Sequence, residues 1–500
     1  MKKRLLSLFI AVLICVLTVF SAAASAAEAD VAETSVDYEM LNVPQIRVTT
    51  EDGNGTELQK ADGYVNASIT ITDTDGSVLE DSVQFKVRGN TTAMESVEKK
   101  AYTFKFGKKK EVLGLGSGKK WALIANAFDP TLLRNVIANT IAHELDLQYT
   151  SNQTYAELWV DDSYRGCYGV FEPVEQGKDR VNIDIESNDG MKDFLIEYEA
   201  QRVEDDVTYF TVDGLRFISS EPEEPNEAQL SYVVTTMTDI IDTLKNGTQA
   251  EIGEKIDVDS FAKYYFLNEY VKTFDFDMSS VFFYYKDGKL YAGPAWDYDL
   301  SAGNVNDNLS NKRYKEATPT TGLYCDQKNI YTYLCDKDWF MNAVKKVYRE
   351  HYDFFCDIYA DGGLMDRLYD EYGAIFDRNY ASGNWRVSKW WINIQKQPLS
   401  TYQANYDYLK NWYSERNLWL SEYFEMDKVI LGDADSDGFV TSVDVTTIQR
   451  KLAHMEVLDS YNATAADVDG DGEVASVDAT LIQRYLAEIN VPFSIGEPMA

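Results

Sequence analysis

The segment Val281-Phe-Phe-Tyr-Tyr-Lys-Asp-Gly-Lys-Leu-Tyr-Ala-Gly-Pro-Ala-Trp-Asp-Tyr-Asp299 predicts a β-hairpin followed by a carboxylate-rich loop. Its Asp287-Gly288 pair is a two-residue turn signal between two runs rich in aromatic residues. Pairing about this turn sets position 278 opposite position 297. Asp275 and Asp297 therefore emerge at the same end of the hairpin, which suits a proton acceptor beside a ligand of a divalent metal.

The order of these residues is similar to that of protein kinases. In kinases a catalytic Asp, and an Asn five residues later, precede a hairpin that delivers a metal-binding Asp. In this chain the corresponding offset from Asp275 falls on Ser280, and Ser is a weaker metal ligand than Asn. The similarity favours phosphoryl transfer, and it leaves the second metal position of the kinase layout open.

The rest of the large domain predicts an α+β fold. Apolar and polar residues alternate in 45–49, 68–72, 83–87 and 102–106, with Gly- and Asp-rich turns between them. This alternation predicts strands of a largely antiparallel sheet. Asp129 and Pro130 predict a helix start before apolar residues at every fourth position, and Asp259 predicts a second start. From about 338 to 423 the pattern is mostly helical, so the helices dominate the C-terminal half.

Several spaced motifs of the large domain resemble the spore-coat kinase family known as CotH, a secreted branch of atypical protein kinases. The motifs are Val87-Arg-Gly-Asn90, Lys99-Lys100 with Tyr102 and Lys105, Trp121-Ala-Leu-Ile-Ala-Asn126, Asp129 with Leu133-Arg-Asn135, Glu172 with Gly177-Lys-Asp-Arg180, and Gly293-Pro-Ala-Trp-Asp-Tyr-Asp299. They occur in the family's order. The resemblance implies an atypical kinase fold over residues 40–426.

The resemblance also implies roles for individual residues. Asp275 becomes the catalytic base and Asp297 the magnesium ligand, with Asp299 in support and Ser280 at the second metal position. Lys105 either contacts phosphate or faces solvent, and Arg88 and Arg134 either clamp phosphates or pair with acids. Glu172 orients a lysine or a metal, or it is structural. The implied cofactors are ATP with Mg²⁺ or Mn²⁺, and the implied substrate is Ser or Thr of a secreted protein.

Near the C-terminus the sequence carries two copies of an acidic loop. The first copy has Asp433, Asp435, Asp437, Thr441 and Asp444 at positions 1, 3, 5, 9 and 12, with the Phe439 carbonyl at position 7. The second copy, 34 residues later, has Asp467, Asp469, Asp471 and Asp478, with the Glu473 carbonyl and with Ala475 at position 9. Alternate carboxylates around a Gly-containing turn are typical of Ca²⁺ sites. We expect two calcium ions, weaker binding in the second loop, and folding coupled to metal binding.

Each loop leads into one helix, whereas an EF-hand has a helix on both sides. This loop–helix repeat resembles the type I dockerin of cellulosome enzymes and covers residues 429–492. The resemblance implies binding to a cohesin domain of a scaffoldin. The residues that would face the cohesin are Ser442, Val443, Arg450 and Lys451 in the first copy, and Ser476, Val477, Arg484 and Tyr485 in the second. Because the copies match, either face could dock after a half-turn of the module.

The N-terminus and the overall charge predict export. A basic start, an apolar run at 5–20 and small residues at 22–27 are typical of a secretory signal peptide over residues 1–27. The formal net charge of −35 argues against nucleic acid as a partner, and no later stretch predicts a membrane span. We therefore expect a secreted, extracellular protein in a cellulosome or cell-surface assembly. Cys167, Cys325, Cys335 and Cys356 are either free thiols or include a bridge such as Cys325–Cys335.

Three functions remain open at the level of sequence. The first is an ATP- and Mg-dependent kinase. The second is a non-catalytic structural or adhesive component of a cellulosome, which Ser280 in place of Asn favours. The third is a carbohydrate-active enzyme in polysaccharide degradation, for which Glu197 and Glu199 would supply paired acids. Residues at i and i+2 of a strand share one face, however, and do not straddle a sugar.

Overall fold

The computed structural model describes residues 41, 43–185, 192–200, 207–305, 312–381, 399, 401–426, 428–457, 460–497 and 499. The expected signal peptide at 1–27 lies outside these residues. The chain divides into 1–42 and 43–500, and every element below belongs to the second unit.

Seven strands form a closed barrel in the order β1-β2-β3-β4-β5-β7-β6. They are β1 (Gln45–Thr50), β2 (Val65–Thr72), β3 (Val78–Arg88), β4 (Ala101–Glu111), β5 (Ser117–Ile124), β6 (Gln153–Val160) and β7 (Ser163–Phe171). Neighbours are antiparallel except β1 and β6, which close the barrel in parallel. The four strands predicted from alternation are confirmed as parts of β1 to β4.

A second, five-stranded antiparallel sheet has the order β12-β11-β8-β10-β9. Its strands are β8 (Phe194–Tyr198), β9 (Tyr209–Val212), β10 (Leu215–Glu221), β11 (Val281–Lys286) and β12 (Lys289–Ala292). The predicted hairpin is confirmed, because Lys286 pairs with Lys289 and Phe283 with Ala292. Asp287 and Gly288 have φ of 50° and 91°, the positive values that a two-residue type I′ turn requires.

Twelve α-helices lie in the described residues, so the α+β class is confirmed. In the large domain they are α1 (Arg134–Glu144), α2 (Glu227–Asn246), α3 (Gln249–Lys255), α4 (Val258–Val271), α5 (Lys312–Ala317), α6 (Asp338–Glu350), α7 (Tyr352–Asp357), α8 (Leu364–Ala381) and α9 (Tyr402–Tyr423). The C-terminal module contributes α10 (Ser442–Leu452), α11 (Ala463–Ala466) and α12 (Ser476–Leu486). None of the helices in the described residues is long and apolar enough to cross a membrane.

Two predicted helix starts were wrong by a few residues. Asp129 does not cap a helix that begins at Pro130; instead it accepts hydrogen bonds from Thr131 N and Arg134 N at 2.9 Å each, and α1 begins at Arg134. The second helix begins after Asp257 rather than at Asp259, because the Asp257 carboxylate accepts the Ser260 N–H at 2.8 Å. In both cases an acidic side chain accepts hydrogen bonds from free N–H groups, but only Asp257 is the N-cap residue of its helix, since the N-cap of α1 is Leu133.

Aromatic side chains fill the large domain. Phe85, Phe104 and Trp121 are fully buried inside the barrel strands, and Phe266 of α4 packs on aromatic rings of α6 and α7. Cys167, Cys325, Cys335 and Cys356 are all free thiols. The C-terminal module has its own small core, which includes Ala434, Val445, Ile448, Val468 and Ile482.

Candidate active site and calcium loops

A cavity of about 590 Å³ opens between the barrel and the second sheet, and five carboxylates line it. These are Glu197, Glu199, Asp275, Asp297 and Asp299. Arg88, at the end of β3, faces them from the barrel side, together with the loop that follows it. Residues from separate parts of the chain thus line one cavity that has both acidic and apolar walls.

Buried aromatic residues and backbone hydrogen bonds hold Asp275 in place. It lies in a short 3₁₀ turn, Phe274–Asp277, in which Phe274 and Phe276 are fully buried. Phe274 N donates to Leu300 O at 2.9 Å, which ties this turn to the loop that carries Asp299. The alternation of buried Phe and acidic residues therefore points the carboxylate away from the core and into the cavity.

The loop after the hairpin is fixed from the other side. Tyr298 N, between Asp297 and Asp299, donates to Asn135 Oδ1 at 2.7 Å. Asp297 has φ of 67°, a left-handed conformation that Asp tolerates better than most residues, and its side chain is exposed to the cavity. Asp275 and Asp297 line the same cavity, although the pairing of β11 with β12 ends at Phe283 and Ala292 and does not reach positions 278 and 297.

The electrostatics of the cavity favour the binding of a cation. The pKa of Asp275 is raised to about 8, mainly by burial and then by the charges of Asp297 and Asp277. The pKa of Asp299 also lies well above its usual range, because of burial and then because of Asp297 and Asp275. Desolvation lowers the pKa of Arg88, although Asp297 opposes this effect. The basic residues of the cavity lining are Lys60 and Arg88, so the five carboxylates give the cavity an excess of acidic groups.

Ser280 lies between two of these carboxylates. Its backbone N–H donates to Glu197 Oε1 at 2.9 Å, and its hydroxyl is 3.5 Å from Asp297 Oδ2. Its φ of 61° places the residue in the left-handed region. The structure thus places Ser280, Asp275, Asp297 and Asp299 in the lining of one cavity.

The predicted nucleotide contacts do not all reach this cavity. Arg88 lines it, whereas Lys105, Arg134 and Glu172 do not. Lys105 is on the exposed outer face of β4, opposite Gln84 of β3 and Lys120 of β5. The barrel turns its apolar neighbours Phe104 and Phe106 inward, so the lysine between them points to solvent.

Arg134 and Glu172 have structural partners. Arg134 is fully buried, forms an ion pair with Asp129 at 2.6 Å and donates from Nε to Ser301 O at 2.9 Å. Glu172 accepts a hydrogen bond from Asn152 Nδ2 at 2.9 Å and lies 3.8 Å from Arg180 Nε. For these two residues the structure favours the pairing alternatives that the sequence left open.

Sequence reasoning assigned no role to two further residues of the cavity, Asn126 and Asn135. Both lie inside motifs that carried the family resemblance, which was the available signal. The sequence pattern predicted Glu197 and Glu199 only as a pair of acids on one face of a strand. Their position beside Asp297 depends on β8 pairing with β11, a contact between distant parts of the chain.

The two acidic loops of the C-terminal module form compact carboxylate clusters. Carboxylate oxygens of Asp433, Asp435 and Asp444 lie within 4.8 Å of one another, and so do those of Asp467, Asp469 and Asp471. Gly438 and Gly472 have φ of 89° and 92°, which the sharp turn of each loop requires. Each Gly N–H donates at 2.8 Å to the first Asp of its own loop.

Buried oxygens in these loops fit a hard cation. Among the described residues, Oδ1 of Asp433 and Oδ1 of Asp467 have no hydrogen-bond partner although they are buried. The pKa of Asp433 is raised to about 7, mainly by burial, against the opposing hydrogen bond from Gly438 N and with the help of Asp444 and Asp437. Since ionised carboxylates this close repel one another, a divalent ion is the partner that would satisfy them.

Two known protein families match separate parts of the chain. The family model described as CotH kinase protein matches residues 85–420, and the type I dockerin domain matches residues 431–487. The chain belongs to the CotH family. A search of curated proteins returned no match. The two matches lie inside the predicted domains at 40–426 and 429–492, and the recognition of a CotH protein with a C-terminal dockerin is confirmed.

The dockerin of this CotH protein supports a cellulosome-type assignment, since such domains occur in extracellular cellulosome proteins, bind calcium and bind cohesin. All eight residues predicted to face a cohesin are exposed: Ser442, Val443, Arg450, Lys451, Ser476, Val477, Arg484 and Tyr485. Val443 and Val477 are 51% and 44% exposed, which is high for Val at the start of a helix. The exposed residues occur at matching positions of α10 and α12.

Proposed function

We propose that the CotH domain transfers the γ-phosphoryl group of ATP to Ser or Thr hydroxyls of extracellular proteins, and that the dockerin attaches it to a scaffoldin. The observation that carries the proposal is the convergence of Asp275 and Asp297 on one cavity, with Arg88 opposite them. A proton acceptor, a metal-binding carboxylate and a cationic side chain are groups that recur at phosphoryl-transfer sites. On this basis we also infer that the barrel and the hairpin form a variant of the atypical kinase fold.

Each residue of the cavity has a distinct part in this proposal. Asp297 and Asp299, with Ser280 beside them, would hold Mg²⁺ or Mn²⁺, which when bound offsets negative charge on the phosphoryl group. Once Asp297 is paired with a cation, it raises the pKa of Asp275 less, and the ionised form of Asp275 is favoured. Asp275 then accepts the proton of the attacking hydroxyl. Arg88 donates to phosphoryl oxygens.

We propose that the dockerin holds one Ca²⁺ in each acidic loop. The ligands would be Asp433, Asp435, Asp437, Thr441, Asp444 and the Phe439 carbonyl in the first loop, and Asp467, Asp469, Asp471, Asp478 and the Glu473 carbonyl in the second. With both ions bound, the exposed residues of α10 and α12 would present two similar faces to a cohesin. Secretion by a signal peptide at 1–27 completes the proposal.

A phosphoryl-transfer assay tests the catalytic proposal. The full chain is incubated with γ-labelled ATP, Mg²⁺ or Mn²⁺, and a mixture of extracellular proteins. We expect Asp297→Asn to reduce label transfer by about 100-fold or more. Asp259→Asn is the control, because Asp259 is an exposed acid of α4 that pairs with Lys263 at 2.7 Å and does not line the cavity.

The other outcomes distinguish the alternative functions. Transfer that Asp297→Asn leaves intact contradicts the proposed site. Release of sugar from a polysaccharide without nucleotide favours a carbohydrate-active enzyme that uses Glu197 and Glu199. Inertness in both assays, with cohesin binding retained, favours a non-catalytic component.

A further inference from the structure

Asn126, the second residue after β5, lines the cavity and is only 3% exposed. Its φ of 47° is in the left-handed region, which Asn adopts more readily than most residues. Among the described residues its Nδ2 has no hydrogen-bond partner, although this atom is buried. Because a buried donor without an acceptor is costly, the atom indicates that a ligand completes the site.

The surrounding hydrogen bonds fix which end of the Asn126 amide is the donor. Tyr298 N–H can only donate, so the atom of Asn135 that faces it is Oδ1. The other atom of the Asn135 amide is then Nδ2, which donates to Asn126 at 2.9 Å. The accepting atom of Asn126 must therefore be Oδ1, and its Nδ2 is the group that remains. No flip of either amide preserves all of these bonds.

The same two hydrogen bonds place Asn126 near the acidic cluster. They connect its amide to the backbone of Tyr298, which separates Asp297 from Asp299. The donor is neutral, unlike a Lys or Arg side chain, and so it does not form an ion pair with these carboxylates or compete with a metal ion for them. It can still recognise an oxyanion that approaches together with the metal.

We propose that Asn126 Nδ2 donates a hydrogen bond to a phosphoryl oxygen of the bound nucleotide, and that Asn135 is a positioning residue that sets the Asn126 amide in the required orientation. This inference rests on the proposed phosphoryl transfer. The position beside Asp297 and Asp299 favours the phosphoryl groups over the base or the ribose, because the metal ligands and Arg88 converge on the phosphoryl end.

Binding of ATP·Mg²⁺, pyrophosphate·Mg²⁺ and adenosine to the full chain tests this inference by calorimetry. Asn126→Asp retains an oxygen that accepts from Asn135 and replaces the donor with a carboxylate oxygen. We expect this variant to lose about 10-fold to 100-fold in affinity for ATP and pyrophosphate, with adenosine binding unchanged. Asn139→Asp is the matched control: Asn139 is equally buried in α1, and its Nδ2 donates to Ser151 O at 2.8 Å away from the cavity.

Asn126→Gly guards against misfolding of the first variant, because Gly accepts the positive φ and removes the whole side chain. It should bind ATP and pyrophosphate more weakly than the wild type while the melting temperature of the large domain is retained. Wild-type affinity for ATP in both Asn126 variants overturns the inference and leaves the proposed function standing. A parallel loss of adenosine affinity overturns the phosphoryl assignment. A wild-type chain that binds neither ATP nor pyrophosphate overturns both proposals.

Discussion

The chain contains two kinds of carboxylate cluster, and they differ in what holds them together. In the first calcium loop, Asp433, Asp435 and Asp444 come from twelve consecutive positions, and the N–H groups of the loop itself bind them, as in Gly438 N to Asp433 and Thr441 N to Asp444. In the cavity, the acids come from separate segments. There, neighbouring elements fix the loops, through Tyr298 N to Asn135 and Phe274 N to Leu300.

Because of this difference, we expect the dockerin clusters to depend on a bound ion for their structure and the cavity acids to depend on the surrounding fold. Both clusters have carboxyl groups whose pKa is raised, to about 8 for Asp275 and about 7 for Asp433, mainly through burial. The small dockerin core has little else to offset such repulsion, whereas the cavity is embedded in a large aromatic core. We therefore expect metal removal to unfold the dockerin and to leave the CotH domain folded.

Calcium removal should have the largest effect. With a calcium-selective chelator and Mg²⁺ still present, we expect cohesin affinity to fall by about 1000-fold or more, because the docking helices lose their anchoring loops. Hydrogen exchange measured by mass spectrometry should show lost protection in 431–487 and retained protection in 85–420. Readdition of Ca²⁺ is the control. Unchanged protection in the dockerin would contradict the comparison.

Asp299→Asn should stabilise the CotH domain at alkaline pH without divalent ions. The pKa of Asp299 is higher in the folded than in the unfolded chain, so the stability associated with its protonated form is complete below about pH 4 and is lost as the pH rises above that value. Replacing the acid removes this loss. We expect a gain of about 1–2 kcal/mol at pH 8, allowing for solvent screening in the open cavity, and a smaller gain at pH 5.

Chemical denaturation at the two pH values measures this effect. Asp277→Asn should have the opposite sign, because it breaks ion pairs with Arg313 at 3.1 Å and with Lys328 at 3.5 Å. Added Mg²⁺ should stabilise the wild type more than Asp299→Asn. A loss of stability in Asp299→Asn at pH 8 would show that the cavity acids are not in repulsion.

The same contrast explains how far the sequence could predict the molecule. The calcium loops and the hairpin were predictable because each depends on nearby residues, such as Asp287-Gly288 at the turn. Barrel closure was not predictable, because it requires β1 to pair in parallel with β6. The roles of Glu197 and Asn126 in the cavity wall depend on contacts of the same long range. The alternation around Lys105 correctly set it off the apolar face, but only the closed barrel shows that this face points to solvent.

Exchanging position 9 between the two calcium loops should have a moderate effect. Thr441 Oγ1 accepts the Val443 N–H at 3.1 Å and so caps α10, whereas Ala475 offers no such oxygen to α12. We expect Thr441→Ala to destabilise the dockerin by about 1 kcal/mol and Ala475→Thr to stabilise it by a similar amount. Calcium affinity of the altered loop should change in the same direction. Thermal melting and calcium titration of both variants measure the two effects. A change of the same sign in both variants would contradict the prediction.

Lys346→Ala should have the smallest effect, confined to the first loop. Lys346 Nζ of α6 lies 3.3 Å from Asp437 Oδ2, and this contact must loosen when Asp437 binds an ion. Because both side chains are partly exposed, we expect calcium affinity of the first loop to rise by only about 2-fold to 4-fold, and less at high salt. Lys345→Ala is the matched control, since the charged neighbours that affect the pKa of Lys345 are Arg349, Glu425 and Lys428. The second loop should keep its affinity in both variants, and an equal gain there would mean that Lys346 acts through the net charge of the chain rather than through its contact with Asp437.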